Sequence, residues 1–455
     1  GRANYDLMGK YFLEATARRD GSSRFGAANR YGIFPAASGA WEVSKESFMS
    51  GTKSWLDVLK VRAGWGMSGN DQIGEYNMYS TFGTNGYTAA YNLNGTTGSA
   101  VAGFEPSTKG NPDVAWETTE TKNAGINATM LDKKLTLAVD VWQRNTSDML
   151  YRLSVPQTMG TAQPPYVNIG KMKNAGVDIE LGYHNTLMDG KFTYAVNATW
   201  SHYKNEVVSL SNNLKEVVGY SLRQVEYTRA TTAQAYPMFY GLIADGIIQT
   251  AAEAAAAPKF DSYTTVGHFK YRDLDGDGKI TMDKDRTFIG DPHPKFTGGL
   301  NVDLGYKNFD LTMFFYGSYG NDMINYVSRW IDYGQFVGGL SKDALYSTWT
   351  STNTTAKLPM LDGAAHSQEA STAFIEDGSY LRMKTLRLGY TVPQNTLTKL
   401  KMKSLRFYLQ ATNLFTLTKY KGLDPELDSS GMNMGVDQGS WPTPRQITVG
   451  LTLGL

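Results

Sequence analysis

Long stretches of this chain alternate apolar and polar residues with period two. That pattern restricts them to β-strands whose two faces meet different surroundings. In Lys134 to Trp142, Leu135, Leu137, Val139 and Val141 alternate with Thr136, Ala138 and Asp140. Val177, Ile179, Leu181 and Tyr183 alternate with Asp178, Glu180 and Gly182. Phe192, Tyr194, Val196, Ala198 and Trp200 stand against Thr193, Ala195, Asn197 and Thr199. Leu405, Phe407, Leu409 and Ala411 face away from Arg406, Tyr408 and Gln410, and the chain closes on Ile447, Val449, Leu451, Leu453 and Leu455 in the same rhythm.

A soluble sandwich also alternates, but its strands have a mode near 5 to 6 residues, and many runs here reach about 10 to 15. The connections alternate in length as well. Leu131 to Lys133, Asn185 to Gly190, Lys307-Asn308, Pro393 to Lys403 and Ser44 to Ser54 are short or moderate. Between them lie long links near Gly69 to Val114, Tyr151 to Lys171, Leu210 to Pro294, Asn321 to Ser379 and Lys421 to Pro444. Membrane barrels have this asymmetry, with tight periplasmic turns and long outside loops. Pairing the runs as hairpins predicts about twelve strands. It places the apolar patch Phe239 to Ile248 inside an outside loop, since a spanning strand there breaks the parity.

The strand chemistry separates lipid from lumen. Tyr11, Leu13, Ala15 and Ala17 can face lipid while Glu14, Thr16 and Arg18 face a polar interior; the opposite phase would put arginine in lipid, at about 2 to 4 kcal/mol near the midplane. Trp41, Trp65, Trp116, Trp142 and Trp200 near strand ends suit interfacial girdles, with core packing as the plain alternative. The expected class is therefore all-β, a transmembrane antiparallel β-barrel portion with long extracellular loops. No run approaches the roughly 18 apolar residues of a membrane helix. The balance of 44 basic and 43 acidic residues gives no electrostatic preference for nucleic acid, and the absence of cysteine excludes disulfides and thiolate sites. The chain opens at Gly1 without a signal-peptide pattern, so a fragment or processed piece is expected.

Several segments resemble SusC/RagA-type TonB-dependent transporters. They are Tyr380 to Tyr390 (YLRMKTLRLGY), Ala411 to Thr416 (ATNLFT) followed by Tyr420 and Leu423-Asp424-Pro425-Glu426, Phe239-Tyr240-Gly241 with Asp245-Gly246-Ile247, Arg272 to Gly278 (RDLDGDG), and Phe34-Pro35-Ala36 before Gly39-Ala40-Trp41. The matches keep their family order from near the start to the last residue. The resemblance implies the C-terminal part of a 22-stranded, plugged barrel, the remainder coming from an N-terminal barrel and plug portion. It also implies a SusD-like surface lipoprotein as lid, drive from TonB-ExbB-ExbD through the plug, and contact with the lipid bilayer and lipopolysaccharide of a Bacteroidetes-like outer membrane. The implied cargo is an oligosaccharide or a peptide. No plug or TonB box is recognisable, and the chain ends in Leu455 where outer-membrane proteins usually end in an aromatic residue.

The sharpest chemical motif is Asp273-Leu274-Asp275-Gly276-Asp277-Gly278-Lys279-Ile280. Carboxylates at positions 1, 3 and 5, glycine near the turn and a backbone carbonyl at position 7 (Lys279) describe the start of an EF-hand-like Ca2+ loop. Position 12 is Lys284, so a one-residue bulge is needed to bring in Asp285. Structural calcium and a metal-free turn are both open, and in either case the expected role is to order a loop within Leu210 to Pro294. The phosphate loop, the nucleophile elbow and the HExxH zinc pair are missing, and the five histidines are scattered, so no enzyme is expected. Loop aromatics Tyr87, Tyr91, Tyr166, Trp330, Tyr333, Phe336 and Trp441 are candidates for stacking on sugars or gripping peptides; packing among loops or against a lid is the alternative. Ala251 to Ala257 suits a short surface helix. Two other readings stay open: a self-contained passive porin or adhesin of about twelve strands, and a secreted calcium-stabilised β-protein that binds glycans.

Overall fold

The computed structural model describes all residues except 85–88, 93–94, 96–97, 99, 153–161, 211–214, 335–337, 363–367, 400 and 455. Its main sheet has thirteen strands that follow one another in sequence order. They are β1 (Arg2–Leu7), β2 (Tyr11–Gly21), β3 (Tyr31–Glu42), β4 (Leu56–Asn70), β5 (Glu117–Met130), β6 (Leu135–Ser147), β7 (Lys171–Leu187), β8 (Phe192–Ser209), β9 (Phe296–Tyr306), β10 (Phe309–Tyr319), β11 (Tyr380–Thr391), β12 (Ser404–Thr418) and β13 (Gln446–Gly454). The extra strand beyond the expected twelve is β1. Its turn carries Met8 and Gly9 with φ of 58° and 61°, a left-handed pair usually written with asparagine, which is why no turn signal stands out there.

Six connections alternate with six others along the sheet. One set comprises residues 8–10, 43–55, 131–134, 188–191, 307–308 and 392–403, with 43–55 coiled into two short 3-10 turns. The other comprises 22–30, 71–116, 148–170, 210–295, 320–379 and 419–445. The segment Met238–Leu242 and Ala244–Ile247 forms small strands within the 210–295 connection and does not enter the main sheet. Helix Ala251–Ala256 is capped by Thr250, whose side chain accepts from the Glu253 N–H at 3.1 Å.

The chain divides into two compact units, Gly1–Lys133 with Leu137–Val177 and Lys204–Lys215, and Lys134–Thr136 with Asp178–Tyr203 and Glu216–Leu455. In the first unit, register aligns Leu7, Tyr11, Trp41, Val61 and Ile126 across successive strands. All five are exposed on that face. The opposite face aligns Asn4, Glu14, Ser38, Gly64 and Asn123. There Arg62 donates to Asn127 at 2.8 Å and pairs with Asp140.

The second unit repeats the division. Tyr194, Leu304, Leu311, Leu388, Leu409 and Val449 form one apolar rung, and Val196, Val302, Met313, Leu386, Ala411 and Ile447 the next. Between them on the other face run Ala195, Asp303, Thr312, Arg387, Gln410 and Thr448. Phe309 packs on Tyr390 at one end of this sheet, while Phe296 stacks on Tyr319 and lies near Trp200 at the other. From Phe309 to Tyr319 at about 3.3 Å per residue, tilted about 40°, the rings stand roughly 25 Å apart in height, the thickness of a barrel's lipid band.

Two of the five tryptophans leave the girdle pattern. Trp116 precedes β5 and packs on Phe25 and Phe34 at 5.2 and 5.4 Å, so it belongs to a loop core. Trp142 alternates with exposed Val141 and shares the face of Asp140, with Arg144 over its ring.

Each unit has its own core of long connections. Phe25, Ile73 and Val114, one or more from each of two connections, meet Leu150 and Tyr166 of a third. In the second unit, Tyr227, Phe239, Leu242 and Phe269 from 210–295 pack with Ile324, Tyr333 and Phe374 from 320–379 and Val436 from 419–445.

The two faces should respond oppositely to one charge. Leu388→Arg should destabilise the lipid-embedded protein by about 2–4 kcal/mol, while Thr448→Arg, on the polar face, should fall within about 1 kcal/mol of wild type. Denaturant titration in phospholipid vesicles measures both.

Candidate ligand-binding site at the loop-bearing end

On the polar face of the second unit, a pocket of about 510 Å³ opens where β8, β10 and β11 meet their connections. Tyr203, Tyr316 and Tyr380 form its aromatic wall, with Pro292, Glu426 and Met434 from the connections. His293 holds the first tyrosine. Its Nε2 lies 3.0 Å from the Tyr236 carbonyl, which only accepts, so a neutral ring donates there and offers Nδ1 to the Tyr203 hydroxyl at 3.1 Å. The rings meet at 5.8 Å and 90°. Burial pushes the His293 imidazole down, which keeps it neutral at neutral pH.

Ion pairs fix the connection that brings Glu426 to the pocket. A bulge at Lys384 shifts the register of β11. Bulges redirect side chains, and here Arg382 and Lys384 both reach the 419–445 connection. Arg382 donates to Asp424 at 2.5 Å, to Glu426 at 2.6 Å and to Thr416 Oγ1 at 2.8 Å. Lys384 donates to both Glu426 oxygens, at 2.5 and 2.6 Å. The Arg382 and Asp424 side chains are 4% and 5% exposed. Asp424 Oδ2 also accepts the Thr443 N–H at 2.9 Å. Burial alone would raise the Asp424 carboxyl, but Arg382 and these N–H donors outweigh it and hold it below the usual range. The motifs YLRMK and LDPE thus meet as one clamp, which spacing alone does not reveal.

The other motifs are structural in the same way. The guanidinium groups of Arg229 and Arg286 lie over the Tyr240 ring, at 3.8 and 5.1 Å from its centre, and both pair with buried Glu226. A side chain on Gly241 would meet the Ala370 carbonyl at 2.2 Å, so only glycine permits that approach. Asp245 pairs with Arg272 at 2.6 Å, which holds its carboxyl low.

The acidic loop folds as a chain of Asx turns. Asp273 accepts from the N–H groups of Gly276 and Gly278 at 2.7 and 2.8 Å, and carboxylate oxygens of Asp273, Asp275 and Asp277 converge within 4.8 Å of one another. Ile280 is buried in the second unit's core, which anchors the end of the motif. The Lys279 N–H donates to Asp277 at 2.9 Å. Asp285 does not join the cluster. It is fully buried and its oxygens accept the N–H groups of Leu274 and Thr281, at 2.8 and 2.6 Å, which ties the loop ends together. Lys284 instead bridges Asp275 and Asp277 at 2.8 and 3.0 Å. Those contacts lower both carboxyls and raise the lysine.

The loop aromatics separate into distinct groups. Tyr333 is 6% exposed in the core, 5.1 Å from Phe374, so packing takes it rather than ligand. Trp330 is half-buried against Tyr326 with Arg223 over its ring. Tyr166 packs in the first unit under Arg152. Tyr91 is exposed, and Trp441 is 92% exposed. Tyr87 and Phe336 lie outside the described residues. Sequence reasoning missed Tyr203, Tyr316 and Tyr380, because their strands carry tyrosine on both faces and only register tells which face is which.

Residues 1–414 match the family described as TonB dependent receptor-like, beta-barrel. The chain belongs to this TonB-dependent receptor β-barrel family. It is 32% identical to TonB-dependent receptor P3 of Formosa agariphila, aligned over 100% of the chain and 45% of that protein. It is 28% identical to TonB-dependent receptor SusC of Bacteroides thetaiotaomicron, over 100% of the chain and 43% of SusC. Among solved structures, the RagAB peptide transporter superposes with a TM-score of 0.83 at 27% identity, covering 100% of the chain and 46% of the RagAB chain. The chain thus spans less than half the length of these relatives.

For a TonB-dependent receptor barrel, the clamp joins the wall to its last long connection. Arg382→Ala leaves Asp424 buried without its cation and should destabilise this region by about 3–5 kcal/mol, whereas Arg382→Lys should retain part of it. Faster proteolysis within residues 419–445 of the membrane-inserted protein reads the loss.

Proposed function

We propose that this chain forms the C-terminal part of an outer-membrane barrel in a TonB-dependent transporter that imports an oligosaccharide or peptide nutrient. The carrying observation is the combination of continuous apolar rungs on one face with a loop-covered tyrosine pocket on the other. The similarity to the RagAB peptide transporter favours peptide; the tyrosine wall suits either a peptide backbone or a sugar face. In this reading the connections 210–295, 320–379 and 419–445 lie outside the cell and meet a SusD-like lipoprotein lid. TonB-ExbB-ExbD acts through a plug carried by the N-terminal portion. Edge strands β1 and β13 need partners in hydrocarbon, where each unsatisfied backbone group costs several kcal/mol, and the N-terminal barrel portion supplies them.

In a strain lacking the native gene, Tyr203→Ala with Tyr316→Ala should weaken nutrient capture by about 2 kcal/mol while the barrel stays inserted. Growth on defined oligosaccharides and on defined peptides, with and without TonB, is the assay. Unchanged growth of the double variant, or uptake independent of TonB, would refute the assignment.

The acidic loop enters the proposal as an ordering element that takes calcium on Asp273, Asp275, Asp277 and the Lys279 carbonyl. The convergence of three carboxylates favours it, and the ion would displace the Lys284 ammonium. Lys284→Ala should therefore raise calcium affinity about tenfold, read by terbium luminescence, and Asp275→Asn should abolish the signal.

A further inference from the structure

The acceptors of the tyrosine pocket in the second unit are already engaged. Of its lining residues only Glu426 carries a charge. Both Glu426 oxygens receive the Lys384 ammonium, and one also receives Arg382. Asn321 Oδ1 accepts from the Ser318 hydroxyl at 3.0 Å, and Ser429 Oγ accepts the Gly435 N–H at 3.1 Å. Pro292, Pro294 and Pro425 line the pocket with apolar rings. The hydroxyls of Tyr316 and Tyr380 stand differently, since neither has a hydrogen-bond partner among the described residues. The pocket therefore offers free O–H donors on a surface of aromatic, proline and methionine side chains.

The two rings also have a defined geometry. Their centres are 6.3 Å apart and their planes are inclined by 53°. The clamp helps to set them, with Arg382 over Tyr380 at 5.7 Å and Lys384 over Tyr316 at 5.9 Å. A polyproline II helix has about three residues per turn and rises about 3.1 Å per residue. Two residues thus advance about 6.2 Å and present adjacent faces of a three-sided rod, inclined by about 60°. Met323 and Met434 add apolar surface that adapts to shape.

We propose that this pocket takes a proline-rich peptide segment in the polyproline II conformation, laid on Tyr316 and Tyr380 with its carbonyls receiving their hydroxyls. The inference rests on the peptide import proposed above and names the class of peptide. An ordinary peptide brings a backbone N–H at each residue, and each one needs an acceptor that the engaged carboxylate and amide do not supply. Proline brings none, and the carbonyls of a polyproline II segment have no internal partner. Sugar hydroxyls both donate and accept, so a sugar meets the same lack of acceptors. A segment already extended loses little freedom on docking, which is how aromatic grooves recognise proline-rich ligands in general.

The test uses the intact transporter purified in detergent, titrated calorimetrically with two capped nonapeptides of repeat Pro-Pro-Ser and Ala-Ala-Ser and with a neutral glucose heptasaccharide. Wild type should bind the proline peptide about tenfold more tightly than the alanine peptide. Tyr316→Phe with Tyr380→Phe, which keeps both rings and removes both hydroxyls, should weaken the proline peptide about tenfold. Heat-modifiable migration verifies that the double variant is folded. Equal affinity for the two peptides in wild type, or proline binding untouched by the double variant, would overturn the assignment. Binding of the heptasaccharide with neither peptide bound would overturn it too while leaving nutrient import standing, whereas uptake independent of TonB would take down the import reading itself.

Discussion

Backbone hydrogen bonding in a medium without water is the constraint on which the rest of this structure depends. Every N–H and C=O that crosses hydrocarbon must find a partner on a neighbouring strand, so the wall is a ladder of adjacent antiparallel strands. Once the ladder is set, side chains have only two directions. The register in each unit sorts them, leucine and valine on one face and aspartate, arginine, threonine and glutamine on the other. Charge on the wall is then placed where it can be answered. Arg62 meets Asp140, and Arg406 meets Asp310 at 2.6 Å, both on the polar face.

The long connections follow different rules, because they carry their own apolar cores. Each unit gathers three connections around a small set of fully buried side chains, and the second adds ion pairs where connection meets wall. The clamp of Arg382, Asp424 and Glu426 is such a junction, and the cluster of Tyr240 with Arg229, Arg286 and Glu226 is another within the connections. These are positions where removal of one partner strands a charge in a low-dielectric setting, so the connections hold their shape through matched pairs rather than through backbone ladders alone.

How much of this was legible depends on whether the signal was local. Alternation from Phe192 to Trp200 and from Ile447 onward is local, and the strands appear where it runs. The exclusion of Phe239 to Ile248 from the wall followed from parity, a counting argument that needs no contacts. β1 escaped notice because it is six residues long and turns on Met8 rather than on asparagine. The pocket was not legible at all. Tyr203, Tyr316 and Tyr380 are brought together by register across β8, β10 and β11 and by a bulge at Lys384, neither of which leaves a mark in spacing. Tyr333 and Trp330 were visible as loop aromatics, but a ring in a loop says nothing of whether three connections will close over it. Spacing brings Asp285 to the acidic cluster only through a bulge, whereas the fold buries it against the N–H groups of Leu274 and Thr281.

The alternation of connections has an architectural consequence. Turns such as 307–308 join strands with no residue to spare, so the register of β9 against β10 is set from that end. Connections such as 210–295 join strands whose pairing is already decided elsewhere. Insertions and deletions there change what sits on the rim without disturbing the order of the wall. A molecule built this way has one margin that is frozen and one that is free to diversify, and new binding properties can accumulate at the second while the first keeps the same thirteen-strand frame.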